Sequence, residues 1–331
     1  MATKMNPTVK NEITKRLLIA NGQPISGQQL ADDFGISRTA IWKHIKELED
    51  EGYRIDTIKK KGYVLTTSPD SLQPAKVEQF LKTERFGHTI DYHEVCASTQ
   101  PIAHQLAQAG APDGTVILCE EQTAGKGRLA RAWTSTQGKG IWMSVVIRPD
   151  IPPTKAPQFT LIAAVAVARA IEVISDVRAE IKWPNDLLIN GKKCTGILTE
   201  LQADIDRVHS IILGIGVNVN QRLLDFPEEI QSIATSILMI TGQPVDRAKL
   251  VAQILYHLEI YSDMYVKHGF TPLKILWESY SCTLGKRIKA IMVHQQIEGI
   301  ALGITDDGVL QVKTDDGKIH GIYSADIEIQ K

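Results

Sequence analysis

Three stretches of this chain gather residue types suited to handling an anion. Residues 120–135, EEQTAGKGRLARAWTS, place a Gly125-Lys126-Gly127-Arg128 core ahead of another cation, Arg131, and an indole, Trp133. A P-loop needs G-x-x-x-x-G-K-[ST]; here Glu120 takes the first glycine's place and Gly127 follows the lysine, so that reading fails twice. A dinucleotide fingerprint matches formally through Gly125, Gly127 and Ala130. It has to open a helix, however, and the residues that follow, with Gly138 and Gly140, carry no 3.6 period. What remains is a loop that folds over an anionic ligand. Lys126, Arg128 and Arg131 supply charge, Gly127 and its neighbours let the backbone approach, and Trp133 packs on the closed loop. The second stretch, Lys182-Trp183-Pro184-Asn185-Asp186, sets a lysine at a strand end before a proline turn, with Lys193 just past an Asn190-Gly191 hairpin. The third, GIGVNVN, brings Asn218 and Asn220 to a strand bordered by Gly214 and Gly216. Each alone has a plainer explanation as a surface lysine, a turn or a bulge.

These stretches lie in a region of strands mixed with longer helices. Thr115–Cys119, Ile141–Ile147, Ile181–Trp183, Leu187–Ile189, Ile197–Leu201 and Ser210–Val219 read as strands, and Phe159–Ile174, apolar on nearly every face, as a buried helix. Asn190-Gly191 signals a type I′ hairpin. Consecutive hairpin-linked strands indicate α+β with much antiparallel pairing. Asp246 begins a long amphipathic helix that ends near His268-Gly269. From Gly285 onward, strands punctuated by Asp306-Asp307-Gly308 and Asp315-Asp316-Gly317 read as a small all-β module.

The N-terminal part has a different pattern. Val9, Ile13 and Leu17 mark an amphipathic helix closed near Asn21-Gly22. Ser26 caps a second helix with Leu30 and Phe34 inward, Gly35 makes the turn, and Ser37 caps a third with Ile41, Ile45 and Leu48 buried. The third helix's opposite face shows Arg38, Thr39, Lys43 and Lys46, and a hairpin tipped by Lys59, Lys60 and Lys61 follows; with Ser37 these are the expected DNA contacts. That order of elements is a winged helix-turn-helix, whose recognition helix and basic wing meet duplex DNA. Trp42 neighbours the apolar stripe and reads as core, outside the recognition set. The plainer alternative is a three-helix interaction domain with a solvated lysine loop. The expected division is 1–66 winged helix, 67–75 linker (TTSPDSLQP supplies its prolines and serines), 76–277 catalytic domain and 278–331 C-terminal β domain.

Composition narrows the class further. A chain of 331 residues with 43% hydrophobic and 23% charged residues is globular. Its longest unbroken apolar run, Leu161 to Ala168, is far short of the ~20 residues of a membrane span. Met1–Glu12 lacks a signal peptide's apolar segment, so a cytoplasmic location without membrane association is expected. Four cysteines without C-x-x-C spacing point to reduced thiols and to no metal site. Residues 1–66 carry a formal charge of +3 and the rest −4, a basic head suited to an anionic partner.

Taken together, the chain resembles bacterial biotin–protein ligases that double as biotin operon repressors. The resemblance rests on Ser98-Thr99, Gln122 with Gly125-Lys126-Gly127-Arg128, Trp133, the 182–186 stretch, Gly196-Ile197-Leu198 and Gly214–Val219, and spans essentially the whole chain. It implies an α+β multidomain fold: winged helix-turn-helix, a mixed α/β core like class II aminoacyl-tRNA synthetases, and an SH3-like barrel. It also implies that biotin and ATP, with Mg2+, form biotinyl-5′-AMP, from which biotin passes to a lysine of a carboxyl carrier or other acceptor protein such as that of acetyl-CoA carboxylase.

By the same likeness Ser98, Thr99 and Gln122 bind the ureido ring; Lys126, Gly127 and Arg128 close over carboxylate and phosphate; and Lys182 sits on the α-phosphate, with Lys193 in the same pocket. Gln100, Arg131, Asn185, Gly196 and Asn218 complete the expected site, with Arg128 and Lys182 its catalytic pair. Gln100 stands where the family often has Asn, and Lys126 where Arg is common, which keeps charge but loses the bidentate fork. A biotinyl-AMP-dependent homodimer on operator DNA is expected. The alternatives are a regulator that only senses its ligand, a lipoate- or octanoyl-transferring enzyme, and a ligase whose winged helix no longer binds DNA.

Overall fold

In the first unit three helices form around one small core. The computed structural model describes residues 9–292 and 294–330; expectations that touch residues 1–8, 293 and 331 lie outside the described residues. The chain divides into two compact units, Met1–Phe80 and Leu81–Lys331. Helices α1 (Val9–Ile19), α2 (Gly27–Phe34) and α3 (Arg38–Asp50) pool Ile13, Leu17, Leu30, Ile41, Ile45 and Leu48 as core. Phe34 packs only partly buried against it. The expected caps are present: Ser26 Oγ accepts the Gln28 N–H at 3.2 Å and Ser37 Oγ that of Ala40 at 3.1 Å. Gly35 turns between the helices at φ 64°, a left-handed conformation that favours glycine.

Strands β1 (Arg54–Ile58) and β2 (Gly62–Thr67) form the wing, and an isolated bridge from Ile25 to Tyr63 adds a third strand edge. A Cβ on Gly62 would stand 2.0 Å from the Ile25 carbonyl oxygen, so this close approach admits only glycine. The proline- and serine-rich segment does not run free of this unit. It leads into α4 (Pro74–Glu78), which packs on α1, and the Tyr53 hydroxyl donates to Gln73 Oε1 at 3.0 Å.

The second unit is built on a seven-stranded sheet in the order β3-β4-β5-β9-β8-β7-β6. Its strands are β3 (Ile90–Cys96), β4 (Thr115–Gln122), β5 (Gly140–Ile147), β6 (Glu180–Lys182), β7 (Asp186–Ile189), β8 (Lys192–Ala203) and β9 (Val208–Asn218). Only β3–β4 is parallel, joined through α5 (Thr99–Gln108); the other pairs are antiparallel. Asn190 (φ 51°) and Gly191 (φ 76°) both adopt the left-handed turn expected of a type I′ hairpin.

Helix α5 covers the sheet through Ala103 and Ala107 against Ile117, Val146 and Ile212. Helix α6 (Gln158–Ser175) packs against β6, β7, β8 and β9 on one side and against α8 (Arg247–His268) and α9 (Thr271–Tyr280) on the other, after a short α7 (Ile237–Thr241). That double covering explains why α6 is apolar on nearly every face, with Arg169 and Glu172 paired where it meets solvent. Pro153–Ser175 is long and apolar enough to cross a membrane by composition, the single such helix among the described residues, yet 67% of its most apolar stretch is buried inside the protein.

Two carboxylates anchor helix α8, one to the segment before β3 and one to strand β4. Glu259 accepts the backbone N–H groups of Glu84, Arg85 and Phe86 at 2.8, 2.8 and 2.9 Å. Burial works to raise this carboxyl, but the three N–H donors and the Arg85 charge outweigh it and hold it below the ordinary range. The buried Arg247 donates to Glu120 Oε2 at 2.7 Å and to the Gly140 carbonyl at 3.0 Å, clamping the two strands that frame the glycine-rich loop.

Strands β10 (Arg287–Ile291), β11 (Gln296–Ile304), β12 (Leu310–Lys313), β13 (Ile319–Ile322) and β14 (Asp326–Ile329) make a second, all-antiparallel sheet in the order β13-β12-β11-β10-β14, the small SH3-like module expected. It seats on the 182–186 turn: Trp183 donates its backbone N–H to Thr283 Oγ1 at 3.0 Å and its indole N–H to the Gly308 carbonyl at 3.3 Å. The Trp183–Pro184 bond is cis.

Candidate functional site

A cavity of about 310 Å³ opens over the middle of the seven-stranded sheet. It gathers Ser98, Thr99, Gln100, Gln122, Lys126, Gly127, Arg128, Arg131, Trp133, Asn185, Lys193, Gly196 and Asn218 from chain positions up to 120 residues apart. At its inner end the hydrogen bonds have a fixed direction. Ser144 Oγ donates to Gln100 Oε1 at 2.8 Å, because an amide oxygen only accepts. Thr99 Oγ1 lies 2.7 Å from Ser144 Oγ and 3.3 Å from Gln122 Oε1, and its proton goes to one of these two oxygens of the protein. With its hydrogen committed inward, the Thr99 hydroxyl offers only lone pairs to a further partner.

Beside it, Gln122 Oε1 accepts the Thr99 N–H at 2.9 Å, so its amide nitrogen faces the other way, donating to Ser135 Oγ at 3.0 Å with one N–H to spare. The relay continues beneath the pocket. Gln100 Nε2 donates to Glu200 Oε2 at 2.9 Å, His104 Nε2 lies 3.0 Å from the same oxygen, and Gln202 Nε2 is 2.9 Å from His104 Nδ1. Gln100, the residue that departs from the family pattern, is thus spent on holding Ser144 and Glu200.

The glycines of β8 and β9 form the floor. A Cβ on Gly196 would meet the Trp133 ring at 2.8 Å, one on Gly216 would meet it at 2.7 Å, and one on Gly214 would meet the Gln100 amide at 2.9 Å. Trp133 therefore lies flat in a slot that side chains at 196 or 216 would fill. It meets Trp142 edge to face, with centroids 6.4 Å apart, and carries the Lys193 ammonium 5.4 Å above its ring centroid. The expected packing of Trp133 on the closed loop has its reason in these glycines.

The glycine-rich loop folds into a small lobe: Trp133 N–H donates to the Gly125 carbonyl at 2.9 Å and Gly127 N–H to that of Arg131 at 2.8 Å. Leu129 and Ala130 at its tip both have positive φ, 55° and 56°, a strained conformation for side-chain-bearing residues. The Arg128 guanidinium donates to Asn185 Oδ1 at 2.9 Å, to Ser324 Oγ at 3.0 Å and to the Ala325 carbonyl at 3.4 Å. Arg131 pairs with Asp326 at the start of β14. Both arginines thus hold the lobe against the C-terminal sheet while lining the cavity.

Lys182 is placed differently. It ends β6 opposite Asp186, which lines the cavity and pairs with Lys193 at 2.7 Å, but Lys182 itself is not in the lining. It stands instead near Cys282, whose thiol burial pushes up to about 11 against the opposing pull of the Lys182 and Lys286 charges.

Part of the wall carries no motif. Phe226, Ile230, Ile233 and Ala234 close one side, held to the core because the Lys193 N–H donates to the Ile233 carbonyl at 2.7 Å and the Thr235 N–H to that of Lys193 at 2.9 Å. The only signal was apolar residues spaced through LLDFPEEIQSIATS, without a chemical group among them. Ser144 and Glu200 carry none either, since each is one polar residue in a strand.

In the first unit, Arg38, Thr39, Lys43 and Lys46 lie exposed on the outward face of α3, with Lys46 paired to Glu49, and Ser37 is spent as the cap. Lys59, Lys60 and Lys61 are exposed at the turn between β1 and β2. Trp42 is not core: it is 50% exposed, in the middle of that outward face, because Ile41, Ile45 and Leu48 already fill the inward one.

Three families match along the chain: an HTH domain over residues 10–64, the biotin/lipoate A/B protein ligase family over 92–218, and the biotin protein ligase C-terminal domain over 283–329. The chain is 48% identical over 325 residues to the bifunctional ligase/repressor BirA of Bacillus subtilis (strain 168), covering 98% of this chain and all of the relative. It is 29% identical to the protein of that name in Escherichia coli (strain K12), over 90% of this chain and 91% of the relative. Among solved structures it is similar to the biotin protein ligase of Aquifex aeolicus in complex with biotin and ATP, at a TM-score of 0.63 and 30% identity, over 74% of this chain and 99% of that one.

Proposed function

The chain belongs to the biotin–protein ligase family, in the form whose members are named bifunctional ligase/repressors, and from this we propose that it ligates biotin to an acceptor protein and represses transcription as a biotinyl-AMP-bound dimer. The observation that carries the reading is the polarity of the cavity. One end sets an acceptor, Thr99 Oγ1, beside a donor, Gln122 Nε2, matching the N–H and C=O edge of a cyclic urea; Lys126, Arg128 and Lys193 line the same cavity and suit a carboxylate and phosphates. A lipoyl or octanoyl chain has no urea edge to use the first end, and a sensor of biotin alone has no use for so many cations.

The chemistry runs in two steps. Biotin's carboxylate oxygen attacks the α-phosphorus of ATP, the bond to pyrophosphate breaks, and the mixed anhydride biotinyl-5′-AMP forms. Two anions must meet, so the rate depends on charge placed where it develops; such preorganised groups are worth ~3–4 kcal/mol each where measured. Arg128 takes that role from the cavity wall, and Lys182, which stands outside the lining at the strand end opposite Asp186, joins it only when its ammonium reaches the phosphates. Mg2+ accompanying ATP would offset part of the phosphate charge, beside the Lys126, Arg128 and Lys193 side chains that line the cavity.

The lobe at 125–133, shut against the C-terminal sheet, shields the anhydride from water. In the second step the acceptor lysine, as free amine, attacks the carbonyl carbon and AMP leaves. The acceptor is a carboxyl carrier domain. The winged helix binds a palindromic operator as part of a homodimer in the cytoplasm, and acceptor that consumes the adenylate lifts repression.

Incubation of purified protein with biotin, Mg-ATP and a biotin-acceptor domain, followed by intact mass, tests the first half. A gain of one biotin on the acceptor supports the ligase. Bound biotin without transfer moves the reading to a sensor-only regulator, and a gain of lipoate in competition moves it to an acyl transferase.

A further inference from the structure

The outward face of α3 carries one residue that neither the core nor phosphate binding accounts for. Trp42 is 50% exposed, four residues from Arg38 on one side and Lys46 on the other, with Thr39 and Lys43 beside it, so all five share one helical face. Tryptophan is rarely left this open without a partner. The inward stripe is complete without it. The charge along α3 tells which partner: Arg38 and Lys43 stand towards its N-terminal end, while Glu47, Glu49 and Asp50 gather at the other, so the half that presents Trp42 is the half that suits a polyanion.

Cations on such a face meet phosphates, which position a protein on a duplex without reading it, or the acceptor edge of guanine; sequence is read at base edges. An indole has no charge to offer a phosphate. Its flat apolar surface matches the one apolar group that base pairs expose in the major groove, the C5-methyl of thymine.

We propose that Trp42 is a specificity-determining residue of the operator contact, its indole covering a thymine methyl in the major groove between phosphate contacts made by Arg38, Lys43 and the wing lysines. This rests on the DNA-binding half of the function proposed above. The test uses the full chain with biotin and Mg-ATP. Wild type first selects sites from randomised duplexes; wild type and Trp42→Ala then bind the selected duplex with each thymine in turn replaced by uracil, which removes the methyl and nothing else.

The expected result is one thymine position at which uracil weakens wild type about tenfold, while Trp42→Ala binds both duplexes at the weaker level with an unchanged salt slope. Trp42→Phe should keep part of the discrimination. Because the side chain is exposed, the melting temperature of Trp42→Ala should match wild type, which separates lost reading from lost folding. Three outcomes would overturn the proposal. Wild type shows no thymine–uracil difference at any selected position; Trp42→Ala keeps the difference; or the variant changes only the oligomeric state, which makes Trp42 a protein contact. If wild type selects no sequence at all, the DNA-binding reading itself falls, and this is seen without any variant.

Discussion

Thr99 shows how a single proton sets what a pocket accepts. Its hydroxyl hydrogen is taken up by Ser144 Oγ or Gln122 Oε1, both within the protein, and the cavity is left with an acceptor. Ser144→Ala removes the nearer partner of the Thr99 hydroxyl, leaving Gln122 Oε1 at 3.3 Å, and strands the Gln100 oxygen. The biotin KM should rise about tenfold, with the ATP KM and kcat held within about twofold, as read by adenylation kinetics. An equal rise in both KM values would show that Ser144 matters only for folding. Arg128 acts at the same scale through its bonds to Asn185, Ser324 and Ala325. Arg128→Gly removes the latch together with its charge, so biotinyl-AMP should leak into solution; a variant that retains the intermediate as long as wild type contradicts this role.

At the scale of elements, the loop and the strands beneath it are one device. Trp133 closes the loop only because Gly196 and Gly216 leave the sheet bare under its ring. Gly216→Ala puts a methyl 2.7 Å from the indole and must lift the lobe. Biotinyl-AMP should dissociate at least about tenfold faster while the melting temperature falls by only a few degrees, a pattern that stopped-flow release and calorimetry distinguish.

Helix α8 depends on the Glu259 carboxylate in a comparable way. Its folded-state pKa lies below the unfolded value, so its stabilisation is fully present above the unfolded pKa near ~4.3 and is lost as pH falls through the folded value. Glu259→Gln should cost about 1–2 kcal/mol at neutral pH and lose less on acidification than wild type does, measured by denaturant unfolding from pH 7 to pH 3.

For the whole molecule, the prediction concerns linkage between two ligands. If the adenylate favours the dimer that grips DNA, operator affinity must rise with biotin plus ATP and fall again when acceptor domain is added, and operator must tighten adenylate binding by the same factor. Equal operator affinity with and without biotin and ATP rules the switch out. The −4 charge of residues 67–331 makes the catalytic part a poor partner for DNA and leaves contact with the DNA backbone to the basic head.

The legible parts were those governed by neighbours in the chain. The serine caps at 26 and 37, the Gly35 turn, the Asn190-Gly191 hairpin and the apolar period of α3 all act through dihedral preference and hydrogen bonds spanning a few residues, so residue order alone carries them.

Tertiary packing settled the rest. Whether Trp42 faces core or water depends on which other side chains fill the core first. That Gly196 and Gly216 lie under Trp133 depends on the register of β8 on β9. That Ser144 and Glu200 complete a relay, that residues 226–234 wall the cavity and that Asp326 closes it all depend on side chains brought together from distant positions. Such contacts are decided by how sheets and helices stack, and no local preference encodes which distant residue arrives.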